Sequence, residues 1–249
     1  METNSATEPH VPPGGPQFAT TQWSLVVAAS EADAAVSQQA LAELCQAYWL
    51  PVYVYVRRRT PDVHTAQDLT QAFFERLLEQ RLVEAADPAR GRFRSFLLTA
   101  CQHFLVNQWQ KNQAAKRGGG QQPLSLDFDS GESRLSGLAT VDDNPERLFQ
   151  QQWAVTLLAR VLQRLADEWT AKGKQLAFEQ LKQFLTGAPD PASNRQVAEE
   201  LNMSESAVKV AVHRLRDRYR QQLRAEIAAT VATPEDVDDE IRNLFEVLG

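Results

Sequence analysis

The sequence predicts an all-α protein built from two helical domains. Three segments in the first half, residues 36–59, 66–80 and 93–116, repeat apolar residues at three- and four-residue steps, which is the period of an amphipathic helix. Residues 194–224 show this period in a short helix, a turn and a longer basic helix. No segment shows the alternation of a half-buried strand above this background. The hydrophobic share of 43% is ample for cores of this size.

The first helices follow a segment of different composition. Residues 1–19 are rich in Pro, Gly, Thr and Glu, which predicts disorder, and helical order is expected to begin near Thr20. The first of the three helices contains Pro51, where we expect a bend. The third helix is expected to end at the glycines of residues 118–120. The second helix carries an inward stripe of Leu69, Phe73, Leu77 and Leu78.

Acidic and basic segments alternate along the chain. The net charge is −6, yet residues 90–117 carry several basic side chains and no Asp or Glu. Residues 118–146 carry an excess of acid, and we expect them to form a flexible linker. The linker would join a domain at residues 20–117 to a second domain at residues 147–226, and residues 227–249 would form an acidic C-terminal extension.

Residues 194–224 have the pattern of a helix-turn-helix. Asn202 occupies the turn, where a positive φ is commonly needed and Asn tolerates it better than other non-glycine residues. Ser204 can cap the second helix, and from Lys209 onward basic residues outnumber the single Asp217. Such a helix is typical of DNA binding, and a solvated amphipathic helix is the alternative. The expected core residues are Val197, Leu201, Met203 and Val208.

The second helix of this unit divides its polar residues between two faces. The side opposite the apolar residues carries the candidates for contacts with base edges in the major groove. These candidates are Ser206, Lys209, Val210 and His213. Arginines further round the helix are expected to hold phosphates. They are Arg214, Arg216 and Arg218, and Arg195 and Ser204 complete the set of DNA-binding candidates.

The C-terminal extension ends in an amphipathic pattern. A nearly continuous acidic run from Glu235 to Glu240 precedes apolar residues at helical spacing. These apolar residues are Ile241, Leu244, Phe245 and Leu248. A helix of this kind needs a surface to pack on, and our hypothesis is that it folds back on the DNA-binding domain and shields it.

Catalytic and metal-binding patterns are not found in the sequence. The four histidines are isolated, there is no HExxH or CxxC motif, and the glycines at residues 118–120 lack the Lys-Ser/Thr of a phosphate-binding loop. We therefore expect no enzyme activity, metal or cofactor. Cys45 and Cys101 lie within apolar patterns and are expected to be buried thiols of a reduced compartment. With no secretory signal and no run of membrane-spanning length, the expected location is the cytoplasm, without a membrane partner.

The order of these parts resembles the extracytoplasmic-function (ECF) sigma factors of bacterial RNA polymerase. The resemblance rests on the helix AQDLTQAFFERLL, the segment RFRSFLLTACQHFLVNQW, a variable linker and the C-terminal helix-turn-helix, and it covers about Thr20 to Arg224. It implies a sigma region 2-like domain, a sigma region 4-like domain, and binding to core RNA polymerase and promoter DNA. The motifs GRFRSFLL, KRGGG, LSLD, NPERLF and AVHRLRDRY look like a subgroup with a C-terminal extension.

The resemblance also implies a polymerase-docking surface on the second helix. Asp68, Gln71 and Phe74 match the family's clamp-binding pattern, although Gln67 replaces an acidic residue. Independently of the family, Asp68, Gln71 and Glu75 fall on one helical face, and an acidic, amide-bearing stripe suits a basic groove on a partner. A merely solvated face is the alternative interpretation of this spacing.

The segment that opens the −10 promoter element in this family matches Arg92, Phe93 and Arg94 here. Arginines can hold the phosphates of a displaced strand while an aromatic ring stacks on an unpaired base. Phe93 and Phe96 could instead belong to the core, and the spacing favours this for Phe96 in particular. The following helix offers a polar face where the family reads −10 bases, formed by His103, Asn107, Gln110 and Lys111. His103 and Asn107 stand where the family more often has Asn and Asp, so the promoter sequence cannot be carried over.

Two other classes of protein share part of this pattern. A dimeric helix-turn-helix regulator would bind a palindromic site without polymerase, and an adaptor would use its acidic tail to bind a basic partner. A dimeric regulator does not need the basic, aromatic-containing segment between Arg92 and Lys111, whereas a promoter-opening subunit does. An anti-sigma factor or a regulatory kinase is left open as a further partner.

Overall fold

The computed structural model describes residues 34–79, 92–114, 126–137, 144–185, 191–231 and 233–249. Every regular element within these ranges is helical, which confirms the all-α prediction for them. The predicted disordered N-terminus and the glycines at 118–120 lie outside the described residues. The elements are α1 (Ala34–Arg59), α2 (Val63–Glu79), α3 (Phe93–Ala114), α4 (Phe128–Gly137), α5 (Pro145–Ala171), α6 (Gln175–Leu181), a 3₁₀ helix (Lys182–Leu185), α7 (Pro191–Glu200), α8 (Glu205–Ala228) and α9 (Asp236–Leu248).

The helices predicted in the first half are present, with shifted ends. α1 continues through Pro51. α2 begins earlier than predicted because Asp62 caps it, accepting hydrogen bonds at 2.7 Å from both the backbone nitrogen and the hydroxyl of Thr65. The inward stripe of α2 is confirmed, since its members within the described side chains are all buried: Leu69, Phe73 and Leu77. The side chain of Leu78 lies outside that part of the structure.

The first hydrophobic core surrounds α1. The side chains of residues 52–56 are completely buried, so this part of α1 is covered on all sides. The other contributors to this core are α2, α3, α4, the N-terminal part of α5, the C-terminal end of α8, and α9. A second, smaller core holds together the end of α5, α6, the 3₁₀ helix, α7 and the first half of α8.

A single long helix, α5, belongs to both cores. Asn144 caps its start by accepting hydrogen bonds from the backbone nitrogens of Glu146 and Arg147, and Pro145 occupies its first turn. Trp153 and Val161 pack in the first core, whereas Leu165 packs in the second. The change from one core to the other therefore lies inside α5, and the domain limits taken from the sequence stay a prediction.

The acidic segment before α5 differs from the flexible linker that we expected. Its middle part forms α4, which packs on α1 through the ring of Phe128, 5.1 Å from that of Tyr53. The hydroxyl of Tyr53 donates to Glu132 at 2.5 Å, and Arg57 Nε lies 3.1 Å from the same carboxylate. The acidic charge is thus partly neutralised by α1, because the basic C-terminal turn of that helix lies next to it.

The C-terminal extension forms the predicted amphipathic helix, α9. Its residues Val237 and Leu244 are buried in the first core, while Phe245 remains 54% exposed. α9 packs against α5 and the C-terminal part of α8. The extension therefore folds back on the first core and on α8, and shielding of the DNA-binding domain stays a hypothesis.

Candidate nucleic-acid interface

The turn between α7 and α8 has the geometry that the sequence predicted. Asn202 has a φ of 53°, the one positive φ among the described residues other than glycine. The backbone nitrogen of Met203 donates to the carbonyl of Ala198 at 2.9 Å, which closes the end of α7. Ser204 is extended and its hydroxyl accepts a hydrogen bond from the nitrogen of Ala207 at 3.2 Å. Residues 191–228 therefore form a capped helix-turn-helix.

The apolar residues of this unit divide between core and surface. Val197 and Val208 are buried as predicted, and Leu201 is partly buried. Met203 was predicted to be a core residue, and this is wrong, since its side chain is 39% exposed. The turn directs Met203 away from the α7–α8 contact and into a groove beside α8.

The candidates for base contacts all lie at the surface of α8. Ser206, Lys209, Val210 and His213 are exposed, and so is Arg214. The Nδ1 atom of His213 lies 3.0 Å from a carboxylate oxygen of Asp217, one turn further along. Arg195 on α7 is also exposed and pairs with Glu199 at 3.2 Å.

A groove of about 750 Å³ runs beside these residues. Ser206, Val210 and Arg214 line it from α8. Lys172 and Lys174 line it from the turn after α5, where Gly173 has a φ of 67°. These two lysines were not predicted as candidates, although the basic, glycine-containing turn KGK at residues 172–174 is a visible signal in the sequence. They add positive charge beside the exposed face of α8.

Two of the predicted phosphate-binding arginines make contacts with neighbouring helices. Arg216 donates from Nε and Nη2 to the carbonyl of Phe184, at 3.0 and 2.7 Å, and thereby ties α8 to the 3₁₀ helix. Arg218 is paired with Glu168 of α5. The main donors of both arginines are directed at neighbouring helices, and their contact with phosphate stays a prediction.

On α2, the predicted docking residues separate into surface and core. Asp68 is exposed, and the amide of Gln71 donates to Glu75 at 3.0 Å, so these three polar side chains share an outer face. Phe74 is completely buried, with its ring 5.4 Å from that of Phe73. The prediction that Phe74 contacts a partner directly is wrong, because Phe74 lies on the side of α2 that faces the first core.

At the start of α3, the burial of the two phenylalanines is the reverse of what the sequence favoured. Phe93 is completely buried, and its ring lies edge-on to Tyr48 at 5.3 Å. Phe96 is only partly buried. The prediction that Phe93 stacks on a base is therefore wrong, and Phe96 is the more accessible ring.

Arg94 is also buried, contrary to the expectation that it contacts DNA phosphates. Its side chain is 5% exposed, its Nε donates to Gln150 at 2.6 Å, and its guanidinium lies 4.0 Å above the ring of Trp153. Burial, reinforced by the charge of Arg92, lowers the pKa of Arg94. The required counter-charge comes from Glu240 of α9, which forms ion pairs with Arg94 and with the partly exposed Arg92.

The polar face of α3 borders a cavity of about 430 Å³ between α2 and α3. His103, Asn107 and Gln110 are exposed, whereas the side chain of Lys111 lies outside the described residues. Phe96 and Phe104 form aromatic walls. Arg76 from α2, which the sequence analysis assigned only to an outward face, also lines the cavity.

Both cysteines are free and buried, and burial raises the pKa of each thiol to about 12. No cluster of His, Cys, Asp and Glu suited to a metal ion occurs in the described ranges. None of the helices described combines the length and apolar character that a membrane span requires.

Comparison with known proteins agrees with this geometry. The model of the ECF sigma factor family matches residues 50–225, well over half of the chain, from α1 to the C-terminal part of α8. Comparison with curated proteins finds no match, and comparison with solved structures finds none either. Sigma factors are non-enzymatic subunits that bind core RNA polymerase and direct it to promoters for transcription initiation. The chain belongs to the ECF sigma factor family.

Proposed function

We propose that this sigma factor divides promoter recognition between two exposed helix faces. The N-terminal half of α8 would read the −35 duplex, and the polar face of α3 would hold the unpaired −10 strand. The observation that carries the proposal is the capped helix-turn-helix, whose predicted base-contacting residues are all exposed on one helix.

Charge and shape support the −35 assignment. Lys209 and Arg214 are exposed on α8, and Lys172 and Lys174 add charge from the neighbouring turn. A helix flanked by cations from a second element can enter the major groove while both elements contact phosphates. Arg216 and Arg218 would act indirectly by fixing the orientation of α8.

The cavity on α3 supports the −10 assignment. Its aromatic walls, Phe96 and Phe104, offer surfaces next to which an unpaired base can pack. His103 and Asn107 at its edge can donate and accept hydrogen bonds. Arg92 would contact phosphate at the start of the helix.

The outer face of α2 is our candidate for polymerase docking. Asp68, Gln71 and Glu75 form an acidic and amide-bearing surface. Phe74 would contribute by anchoring α2 in the first core. We place this activity in the bacterial cytoplasm. An anti-sigma factor and a protein kinase are both compatible regulators.

Reconstitution with bacterial core RNA polymerase tests the proposal. We expect the chain to be retained on the core enzyme and to produce promoter-dependent start sites, whereas the free protein binds promoter duplex weakly because of its net charge of −6. Tight, specific duplex binding by a free dimer without retention on polymerase would favour the dimeric regulator instead.

A further inference from the structure

A completely buried carboxylate, that of Glu240, lies against the arginines at the start of α3. Its Oε2 is 2.8 Å from Nε of Arg92, and its Oε1 forms an ion pair with Nη1 of Arg94. An ionised carboxylate in a protein interior is unfavourable unless a cation accompanies it. Glu240 is therefore held in the first core by Arg92 and Arg94, and both arginines are held by α9.

The two arginines are those that match the strand-opening segment of the family. A guanidinium presents the same fork of N–H donors to a carboxylate and to a phosphate. Glu240 thus forms ion pairs with the two guanidinium groups that a DNA phosphate would need. Arg92 is the accessible member of the pair, with about a third of its side chain exposed, whereas Arg94 is reached only if α9 moves.

The helix α9 has one buried side and one exposed side. Val237, Glu240 and Leu244 are buried at three- and four-residue spacing, so they form a single seam. The opposite side is exposed and acidic, and Asp238 there forms an exposed ion pair with Arg224 of α8. Among the residues described, the ion pairs of Glu240 are therefore the charged contacts that α9 makes within this buried seam.

We propose that α9 is an intramolecular latch, in which Glu240 occupies Arg92 and Arg94 in the free protein and must be displaced when single-stranded DNA reaches the start of α3. This inference rests on the proposed function, because it needs Arg92 to meet the unpaired strand. The latch places the C-terminal extension at the strand-opening site. Shielding of the recognition helix would instead require a contact with the exposed face of α8.

Binding of a fluorescein-labelled oligodeoxythymidine by the full-length protein tests the latch at fixed salt concentration. Glu240→Gln keeps the shape of the side chain but removes its charge, and we expect it to tighten binding roughly 5- to 150-fold, the range of a typical coupling between sites. The matched control is Asp239→Asn, which removes one charge from the exposed side of the same helix and should change affinity less than about twofold. In the double variant with Arg92→Ala, the gain should shrink, because Arg92 is the accessible member of the pair.

Three results would overturn the latch: no gain for Glu240→Gln over Asp239→Asn, a gain that is undiminished without Arg92, and an absence of oligonucleotide binding by every variant. If Glu240→Gln does not fold, hydrogen exchange on the wild-type protein decides the question. Saturating oligonucleotide should accelerate exchange of the amides in residues 236–248, and unchanged protection of α9 would contradict the proposal. Retention on core polymerase is measured separately, so a failed latch is distinguishable from a failed sigma-factor assignment.

Discussion

The carboxylate of Glu168 on α5 receives two hydrogen bonds from the guanidinium of Arg218 on α8, at 3.0 Å from Nε and 2.6 Å from Nη2. The two residues are 50 positions apart, and Gln222 donates to the same carboxylate. This bidentate contact fixes α8 against the helix that connects the two cores. The orientation of the recognition helix therefore depends on a residue outside the helix-turn-helix.

Replacement of Arg218 by alanine should lower stability. Because the pair is partly exposed, we expect a loss of about 0.5–1 kcal/mol in the free energy of unfolding, measured by urea denaturation. The control is Arg220→Ala, since the ion pair of Arg220 with Asp217 lies within α8. Equal effects of the two substitutions would contradict the linking role of Arg218.

The Arg218 contribution should depend on pH. Hydrogen bonds and charge from Arg218 lower the pKa of Glu168. A lowered folded-state pKa means that the stabilisation is complete above the unfolded value of about 4.3 and is lost as the pH falls through the folded value. The stability difference between wild type and Arg218→Ala should therefore shrink in acid, as followed by urea denaturation from pH 7 to pH 3. A difference that grows toward low pH would contradict this assignment.

Local sequence signals predicted the features that depend on neighbouring residues. Helical periodicity identified α1, α2, α3 and α8, and the turn chemistry of Asn202 and Ser204 identified the helix-turn-helix. The start of α5 carried an unused signal, because Asn144, Pro145 and Glu146 form a typical helix N-terminus.

Contacts between distant segments were not predictable in the same way. The pairing of Arg94 with Glu240 joins residues far apart in the sequence, and each alone is consistent with an exposed charge. Periodicity also cannot identify which apolar side of a helix its neighbours cover. For this reason the sequence favoured burial of Phe96 and exposure of Phe93, and the structure shows the reverse. At these positions, contacts between distant segments of the chain determine whether a side chain is buried or exposed.

On α2, substitutions should separate folding from docking. Phe74→Ala removes a completely buried ring and should lower the free energy of unfolding by about 3–5 kcal/mol. Asp68→Ala changes an exposed side chain, so we expect an unchanged urea midpoint but weaker retention on core polymerase. Unaltered retention of a folded Asp68→Ala protein, tested together with Glu75→Ala, would exclude this face as the docking surface.

On α8, Lys209 should contribute to promoter discrimination. Its exposed position opposite the buried face suits a contact with a base edge, so Lys209→Ala should weaken holoenzyme binding at the preferred −35 sequence by about 1–3 kcal/mol and relax specificity there. Arg220→Ala, which removes a charge further along α8, serves as the control and should weaken different −35 sequences equally. Competition binding with a panel of −35 variants measures both effects. If Lys209→Ala lowers affinity uniformly across the panel, Lys209 contacts phosphate and not a base.

On α3, Asn107 should act only after the strands separate. It is exposed at the edge of the cavity lined by Phe96 and Phe104, which a base inside an intact duplex cannot enter. Asn107→Ala should therefore leave closed-complex formation by the holoenzyme intact and slow the appearance of permanganate-reactive thymines in the −10 element. The neighbouring Val106→Ala provides the control, since Val106 is exposed but is not among the residues that line the cavity. If opening is the step affected, a template with a pre-melted −10 bubble should restore most of the transcription lost by Asn107→Ala. Failure of the bubble to restore transcription, with −35 binding intact, would mean that Asn107 acts at a step other than strand separation.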